Sequence, residues 1–165
     1  MKIELKNFKY AAFASQETHC YEATVYVDGK KAFYASNEGH GGGDSYRGIQ
    51  TGWADKEIIA AIAADKRVEV VGDEEWLKDA DDYTIVEIFI GNLVNDTLMT
   101  RDLKKKLKKK VLFTHPDGLS EIGYGGRKPA DAALIDSVQK QYPDALVLNN
   151  LPFDEAMTIY LENAA

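Results

Sequence analysis

Apolar and polar positions alternate from residue 3 to residue 13, with a slip at Asn7 and Phe8 that predicts a bulge or a strand end. A cleaner alternation runs from Cys20 to Val27. Ala23, Val25 and Val27 share one face of this strand, and Glu22, Thr24 and Tyr26 the other. Asp28-Gly29 then supplies the positive-φ pair favoured in a tight type I′ turn. Lys31 to Asn37 returns as the partner strand, with Phe33 and Ala35 alternating against Ala32 and Tyr34. The run Gly39-His40-Gly41-Gly42-Gly43-Asp44 ends this sheet and opens a polar connection.

Past residue 55 the apolar period lengthens. Ile58, Ile59 and Ile62 predict a short amphipathic helix over 55–65, and 68–71 reads as a short strand. Val86, Phe89, Ile90, Leu93 and Val94 fall on one side of a helix over 82–97, against the weak helix preference of the β-branched run 84–86. Leu103 and Leu107 continue as an i, i+4 stripe. Residues 111–114 and 119–124 flank a His-Pro-Asp-Gly turn. A helix is predicted from Pro129 through Val138, a last strand over 145–148, and a closing helix over 153–161. Helices and strands alternate only loosely, so the fold class expected is α+β: an N-terminal antiparallel hairpin sheet packed by helices, with a helix-rich C-terminal part. No repeat or low-complexity linker divides the chain, and one domain over 1–165 is expected.

Composition narrows the class without naming a function. A chain of 165 residues, 45% hydrophobic and 28% charged, has the make-up of an ordinary globular protein. Cys20 is the single cysteine, so no internal disulfide is available and nothing points to an oxidising compartment. The first residues alternate charge with apolar side chains, unlike the unbroken apolar stretch of a signal peptide. No run approaches the ~20 apolar residues that span a bilayer. A cytoplasmic location and no membrane partner are expected.

Charge changes the picture more. From Glu69 to Asp96 nine acidic side chains face one lysine, whereas Asp102 to Lys110 carries six lysines against one aspartate; the chain as a whole is −7. If 73–82 is helical, Glu75, Asp79 and Asp82 follow at i+4 and i+3 on one face, with Asp73, Glu74 and Asp81 beside them. Carboxylates repeated every ~6 Å along a helix imitate the charge ladder of a nucleic-acid backbone. Such a face competes with DNA or RNA for a basic groove; equally, it is a solvated face that keeps the protein in solution. Lys104, Lys105, Lys106, Lys108, Lys109 and Lys110 surround buried-type Leu103 and Leu107, a pattern that suits a solvated helix or a complement to the acidic segment. With no arginine fork or stacking aromatic beside these lysines, and the rest of the chain acidic, direct nucleic-acid binding is not expected.

The glycine-rich loop, Gly39 to Asp44, offers consecutive backbone N–H groups of the kind that cradle an anion. No helix starts at its end until about Asp55, neither nucleotide fingerprint is met, and Asp44 repels phosphate; a flexible connector is the plainer reading. His19 and Cys20 point to opposite faces of a strand, so adjacency does not make them a nucleophile–base pair. A Cys20–His40 pair formed by folding keeps open a small enzyme or nucleotide-binding protein that uses this loop. No metal-binding spacing occurs, and no metal, cofactor or catalytic residue is expected.

The block Thr18-His19-Cys20-Tyr21-Glu22-Ala23-Thr24-Val25-Tyr26-Val27-Asp28-Gly29-Lys30, with 35–42 after it and Leu151-Pro152-Phe153-Asp154-Glu155-Ala156 near the end, resembles segments of small uncharacterised proteins of phages, prophages and proteobacterial mobile DNA. That resemblance covers about a third of the chain. It implies a protein that binds and disables host machinery, of the anti-CRISPR or anti-restriction type. The expected partner is then a host protein or ribonucleoprotein complex with a basic groove, met through the acidic segment, the glycine-rich loop or both.

Overall fold

Four antiparallel strands lie in the order of the chain: β1 (Ile3–Tyr10), β2 (Tyr21–Val27), β3 (Lys30–Asn37) and β4 (Ser45–Gly48). The computed structural model describes residues 1–65, 79–126 and 128–163. The strand read over 68–71 lies outside them. The chain divides into two compact units, Met1–Asn95 and Asp96–Ala165.

In the first unit, the β2–β3 hairpin turns on Asp28 (φ 45°) and Gly29 (φ 79°), both left-handed as a type I′ turn requires. Its register sets Val25 opposite Phe33, Ala23 opposite Ala35 and Tyr21 opposite Asn37. This face is buried through Tyr21, Ala23, Val25, Phe33 and Ala35, and it ends in a polar row at Tyr21 and Asn37. The slip in β1 is a bulge: Lys6 pairs with Thr24 and Lys9 with Glu22, so Asn7 and Phe8 share one position. Asn7 takes the left-handed backbone (φ 53°) that such a bulge needs, and asparagine tolerates it better than most residues.

Helix α1 (Lys56–Ala63) starts where Asp55 accepts the Glu57 and Ile58 N–H groups, and it buries Ile58 and Ile62. Helix α2 (Asp82–Lys109) begins at Asp81, whose carboxylate accepts the Thr84 N–H. In its first half Val86, Phe89, Ile90 and Val94 are buried, as the helical spacing predicts. These stripes and the buried sheet face form the interior of this unit.

The second unit opens with the rest of α2, which passes without a loop into β5 (Lys110–His115). Asn149 secures that abrupt junction. Its amide donates to the Leu107 and Lys110 carbonyls, and its oxygen accepts the Leu112 N–H. Strand β5 pairs with β6 (Gly118–Gly123) through the Pro116-Asp117 turn. Strand β5 is buried on both faces. Val111 and Phe113 pack with Val138 of α3 (Ala132–Gln141), and Leu112 packs with Leu103 of α2 and with Ala156 and Tyr160 of α4 (Phe153–Asn163). Helix α3 starts after Asp131, which accepts the Leu134 N–H, and not at Pro129. Residues 145–148 form no strand: Val147 makes an isolated bridge to Phe113, and a 3-10 turn follows over Leu148–Asn150. With its N-terminal antiparallel sheet and helical C-terminal part, the chain is of α+β class.

Candidate functional site

The glycine-rich loop connects β3 to β4, and backbone and side-chain hydrogen bonds fix it from several sides. The Gly39 carbonyl accepts the Gln16 and Glu17 N–H groups at 2.9 and 3.1 Å. Gly39 N–H donates to Asn37 Oδ1 at 2.8 Å and Gly41 N–H to Thr18 Oγ1 at 3.3 Å. Asn37 Nδ2 donates back to the Gly42 carbonyl at 2.9 Å. The plainer reading of a flexible connector therefore gives way to a tied loop.

Backbone contact at Gly39 and a left-handed φ at Gly39 and Gly41 call for glycine, and Gly43 leaves room for two side-chain ends. At Gly39 (φ 87°) a Cβ would strike the Ala14 carbonyl oxygen and stand 2.9 Å from Cys20 Cβ. At Gly41 (φ 86°) it would strike the Glu17 carboxylate. At Gly43 it would lie 2.9 Å from Glu87 Oε1 and 3.0 Å from the Tyr83 hydroxyl. Two carboxylates, Glu17 and Glu87, thus flank the loop because the loop has no side chains to hold them off.

Asp44 closes the loop and organises the site. Its Oδ2 accepts the hydroxyls of Tyr21 and, at 3.0 Å, Tyr46, while Oδ1 accepts Asn37 Nδ2 at 3.0 Å. Its backbone N–H donates to Glu87 Oε1 at 2.9 Å, and its carbonyl accepts the Tyr83 hydroxyl. Strand alternation explains the meeting: Tyr21, Asn37 and Tyr46 lie on the inner sheet face, and Asp44 stands two residues before Tyr46. Burial is the main cause that pushes both the Tyr21 and the Tyr46 phenol well above the ordinary range. The charges of Asp44 and Glu87 and the hydrogen bonds to Asp44 add to it. The Tyr83 phenol is raised as well, first by burial and then by Glu87 and Asp44. At neutral pH these phenols are therefore firm donors to a carboxylate, an arrangement that fixes geometry.

Beside this network lies a cavity of about 490 Å³, walled by Tyr10, Thr18, His19, Asp44, Glu87 and Gly91 among others. Glu17, Asp44 and Glu87 bring three carboxylates to it, and among the described residues that line it there is no lysine or arginine. Tyr10 packs edge-on against His19 with ring centroids 5.7 Å apart. The 3-10 turn Ala12–Ala14, which leads from Tyr10 to this wall, holds Phe13 with 93% of its surface exposed.

Of the residues singled out by sequence, the loop residues Gly39, His40, Gly41, Gly42, Gly43 and Asp44 come together here. His40 meets Gln16, Nδ1 to Oε1 at 3.4 Å, and Cys20 is half-buried against Gly39. The N–H groups of Gly39, Gly41 and Asp44 are spent within the fold, and carboxylates flank the loop, a geometry that repels an anion. Asp73, Glu74 and Glu75 lie outside the described residues. Asp79, Asp81 and Asp82 are exposed, but Asp79 and Asp82 do not share a helix, because α2 begins at Asp82. Asp81 caps it, and the Thr84 hydrogen bonds hold the Asp81 carboxyl below its usual range. Lys106, in the lysine run, bonds Asp102 at 3.2 Å and Tyr160 at 2.8 Å, while Lys104, Lys105, Lys108 and Lys109 are exposed.

The residues that sequence reasoning missed are Tyr10, Glu17, Tyr21, Asn37, Tyr46, Tyr83, Glu87 and Gly91. A signal existed for three of them: Tyr21 and Asn37 are polar groups at inward hairpin positions, and Gly91 is a glycine in the interior of a helical segment. Among the described residues no group of three His, Cys, Asp or Glu is placed to hold a metal ion, and no helix is long and apolar enough to cross a membrane. Fold and site together define an α+β protein with an acidic pocket beside a tied glycine loop. No family model, curated protein or solved structure matches the chain.

Proposed function

We propose that this is a non-catalytic binding protein of phage or mobile-element type that inhibits a host nucleic-acid-processing or defence complex by occupying a basic surface on it. The observation that carries the reading is Phe13, 93% exposed on a turn that borders a cavity with three carboxylates. Aromatic side chains are enriched at the centres of interfaces, and exposed Phe13 stands three residues from Tyr10, which lines the cavity and is 37% exposed. Charge supports the same partner. Residues 1–95 hold 17 acidic and 10 basic side chains and so the whole net charge of −7, residues 96–165 being balanced. Such a field speeds encounter with a cationic surface and weakens as salt rises. The resemblance of the N-terminal block to mobile-element proteins supplies the biological class.

The test is cleavage of DNA by purified CRISPR effector and restriction complexes, with and without the protein. Slowing that fades with added salt, and that Phe13→Ala and Glu17→Lys each remove, is the expected result. Phe13→Ala leaves the fold intact, since so exposed a ring contributes little to it. If no complex is slowed, or if both variants inhibit like the parent, the reading fails.

A further inference from the structure

We infer that the cavity of the first unit is a guanidinium site, which takes an arginine side chain of the partner. The inference rests on the reading above for who supplies the arginine, but the chemistry of the pocket stands apart from it.

Three features of the cavity specify the ligand. The first is charge in a usable form. Asp44 contributes its field but has both oxygens occupied by Tyr21, Tyr46 and Asn37, so direct pairing falls to Glu17 and Glu87. Glu87 spends Oε1 on the Asp44 N–H, and each carboxylate offers about four lone-pair directions, so both retain capacity to accept from a cation. They flank Gly41 and Gly43 on one short loop, and both line the cavity. A planar fork with five donors can address both; an ammonium is a point charge that satisfies one geometry at a time.

The second feature is the aromatic wall. Tyr10 lines the cavity, keeps 37% of its surface exposed and is braced by His19. Guanidinium stacks on such a ring and is more weakly hydrated than ammonium, so it gives up water at a lower cost.

The third is Gly91. It is the tenth residue of α2, in the helix interior, where glycine destabilises a helix by comparison with alanine. No packing constraint accounts for it, because a Cβ there meets nothing within 4 Å. What the missing side chain leaves is room, in the wall of the cavity. A flat group lying against bare helix backbone is the occupant that uses it. Phosphate is refused by the carboxylates, and a neutral apolar ligand leaves them desolvated without a partner.

The experiment is an NMR titration of the 15N-labelled protein with N-acetyl-arginine methylamide, the lysine analogue and the neutral citrulline analogue, read at the amides of Thr18, Gly42, Glu87 and Gly91. The arginine compound should give saturable shifts with a Kd on the order of 1 mM, as fits a single side chain. The lysine analogue should bind several-fold more weakly and citrulline not at all. Gly91→Leu, a substitution that strengthens the helix and fills the cavity, should abolish the shifts while far-ultraviolet circular dichroism stays that of the parent; Glu87→Gln should weaken them. Silent amides with arginine, equal shifts with citrulline, or shifts that survive in Gly91→Leu would overturn the assignment. Arginine binding without inhibition of any complex upholds the pocket and rejects the partner reading. Inhibition alongside a silent titration rejects the pocket alone.

Discussion

Replacing Asp44 by alanine tests whether the loop is held by its carboxylate. The substitution removes the acceptor for Tyr21, Tyr46 and Asn37 together. Tyr21 is 4% exposed, so its hydroxyl loses its partner and can meet water only through the cavity that it lines, while half-buried Tyr46 and Asn37 recover solvent more readily. A stranded buried donor costs about 1–3 kcal/mol and a hydrogen bond to a charged acceptor contributes roughly 1.5–3 kcal/mol, so Asp44→Ala should destabilise the protein by about 3 kcal/mol. For a chain of this size that is a fall of roughly 6–12 °C in Tm. Tyr21→Phe alone leaves the carboxylate its other two donors and should cost about 1 kcal/mol. In the Asp44→Ala background the same Tyr21→Phe change removes the stranded hydroxyl, so its sign should reverse to neutral or stabilising. Urea unfolding followed by Trp53 fluorescence reads the effect at the site, because Trp53 packs 6.1 Å from Tyr46 and 5.7 Å from Tyr83 between ring centroids. A Trp76→Phe background isolates that signal. Additive effects of the two substitutions, or an Asp44→Ala midpoint equal to the parent's, would refute the argument.

Other consequences of the same geometry can be checked by denaturation. Gly39→Ala should cost more than about 2 kcal/mol, since it combines a positive φ with a collision against backbone, whereas Gly42→Ala, which meets nothing within 4 Å, should fall within about 0.5 kcal/mol of the parent. Alkaline pH should destabilise: the Tyr21 and Tyr46 phenols are raised in the folded chain, so their contribution is intact below the unfolded value near ~10 and is lost as pH climbs beyond it. The slope for Tyr21 is up to about 1.4 kcal/mol per pH unit, and stability curves of Tyr21→Phe should be measurably shallower above that point. In the second unit, Leu103→Ala should cost about 2–5 kcal/mol in urea melts, because a fully buried side chain leaves a void against Leu112 and Tyr160.

What the sequence disclosed follows from how local each signal is. The β2–β3 hairpin was legible because turn and register are set by adjacent residues, Asp28-Gly29 and the alternation around them. The bulge at Asn7 and the stripes of α1 and α2 were legible for the same reason. Strand β4 was not, since Ser-Tyr-Arg-Gly has no alternation of its own and becomes a strand by pairing with the edge of β3, Tyr46 opposite Ala35. The apolar run 145–148 misled in the other direction. Its backbone pairs with Thr114 at Leu146 and bridges Phe113 at Val147, then turns away so that Asn149 can secure the α2–β5 junction. The loop was read from its glycines as loose because what orders it is distant in sequence: Thr18, Asn37, Tyr83 and Glu87. Asp44 was named from sequence, but its role depends on partners that only the folded sheet assembles.

The acidity of the first unit therefore has two separable sources, and they differ in what a charge reversal means. Asp81 holds the start of α2, so its replacement disturbs the helix as well as the field, and lost binding there is uninformative. Asp79 and Asp82 are exposed, and neither caps α2, so lysine at both positions alters the field and costs the helix about 1 kcal/mol or less, at Asp82, which stands in its first turn where the dipole favours a negative charge. Glu17 and Glu87 belong to the cavity. If a basic partner reads a diffuse negative field, the Asp79/Asp82 reversal should weaken association and steepen nothing at the pocket amides. If it inserts a side chain, neutral glutamine at Glu17 and Glu87 should raise the dissociation rate while the association rate, which long-range charge sets, changes less. Measuring both rates for both pairs by surface plasmon resonance tells the two modes apart. Insertion predicts that the dissociation effect belongs to the cavity pair, and an equal effect from the Asp79/Asp82 pair would refute it.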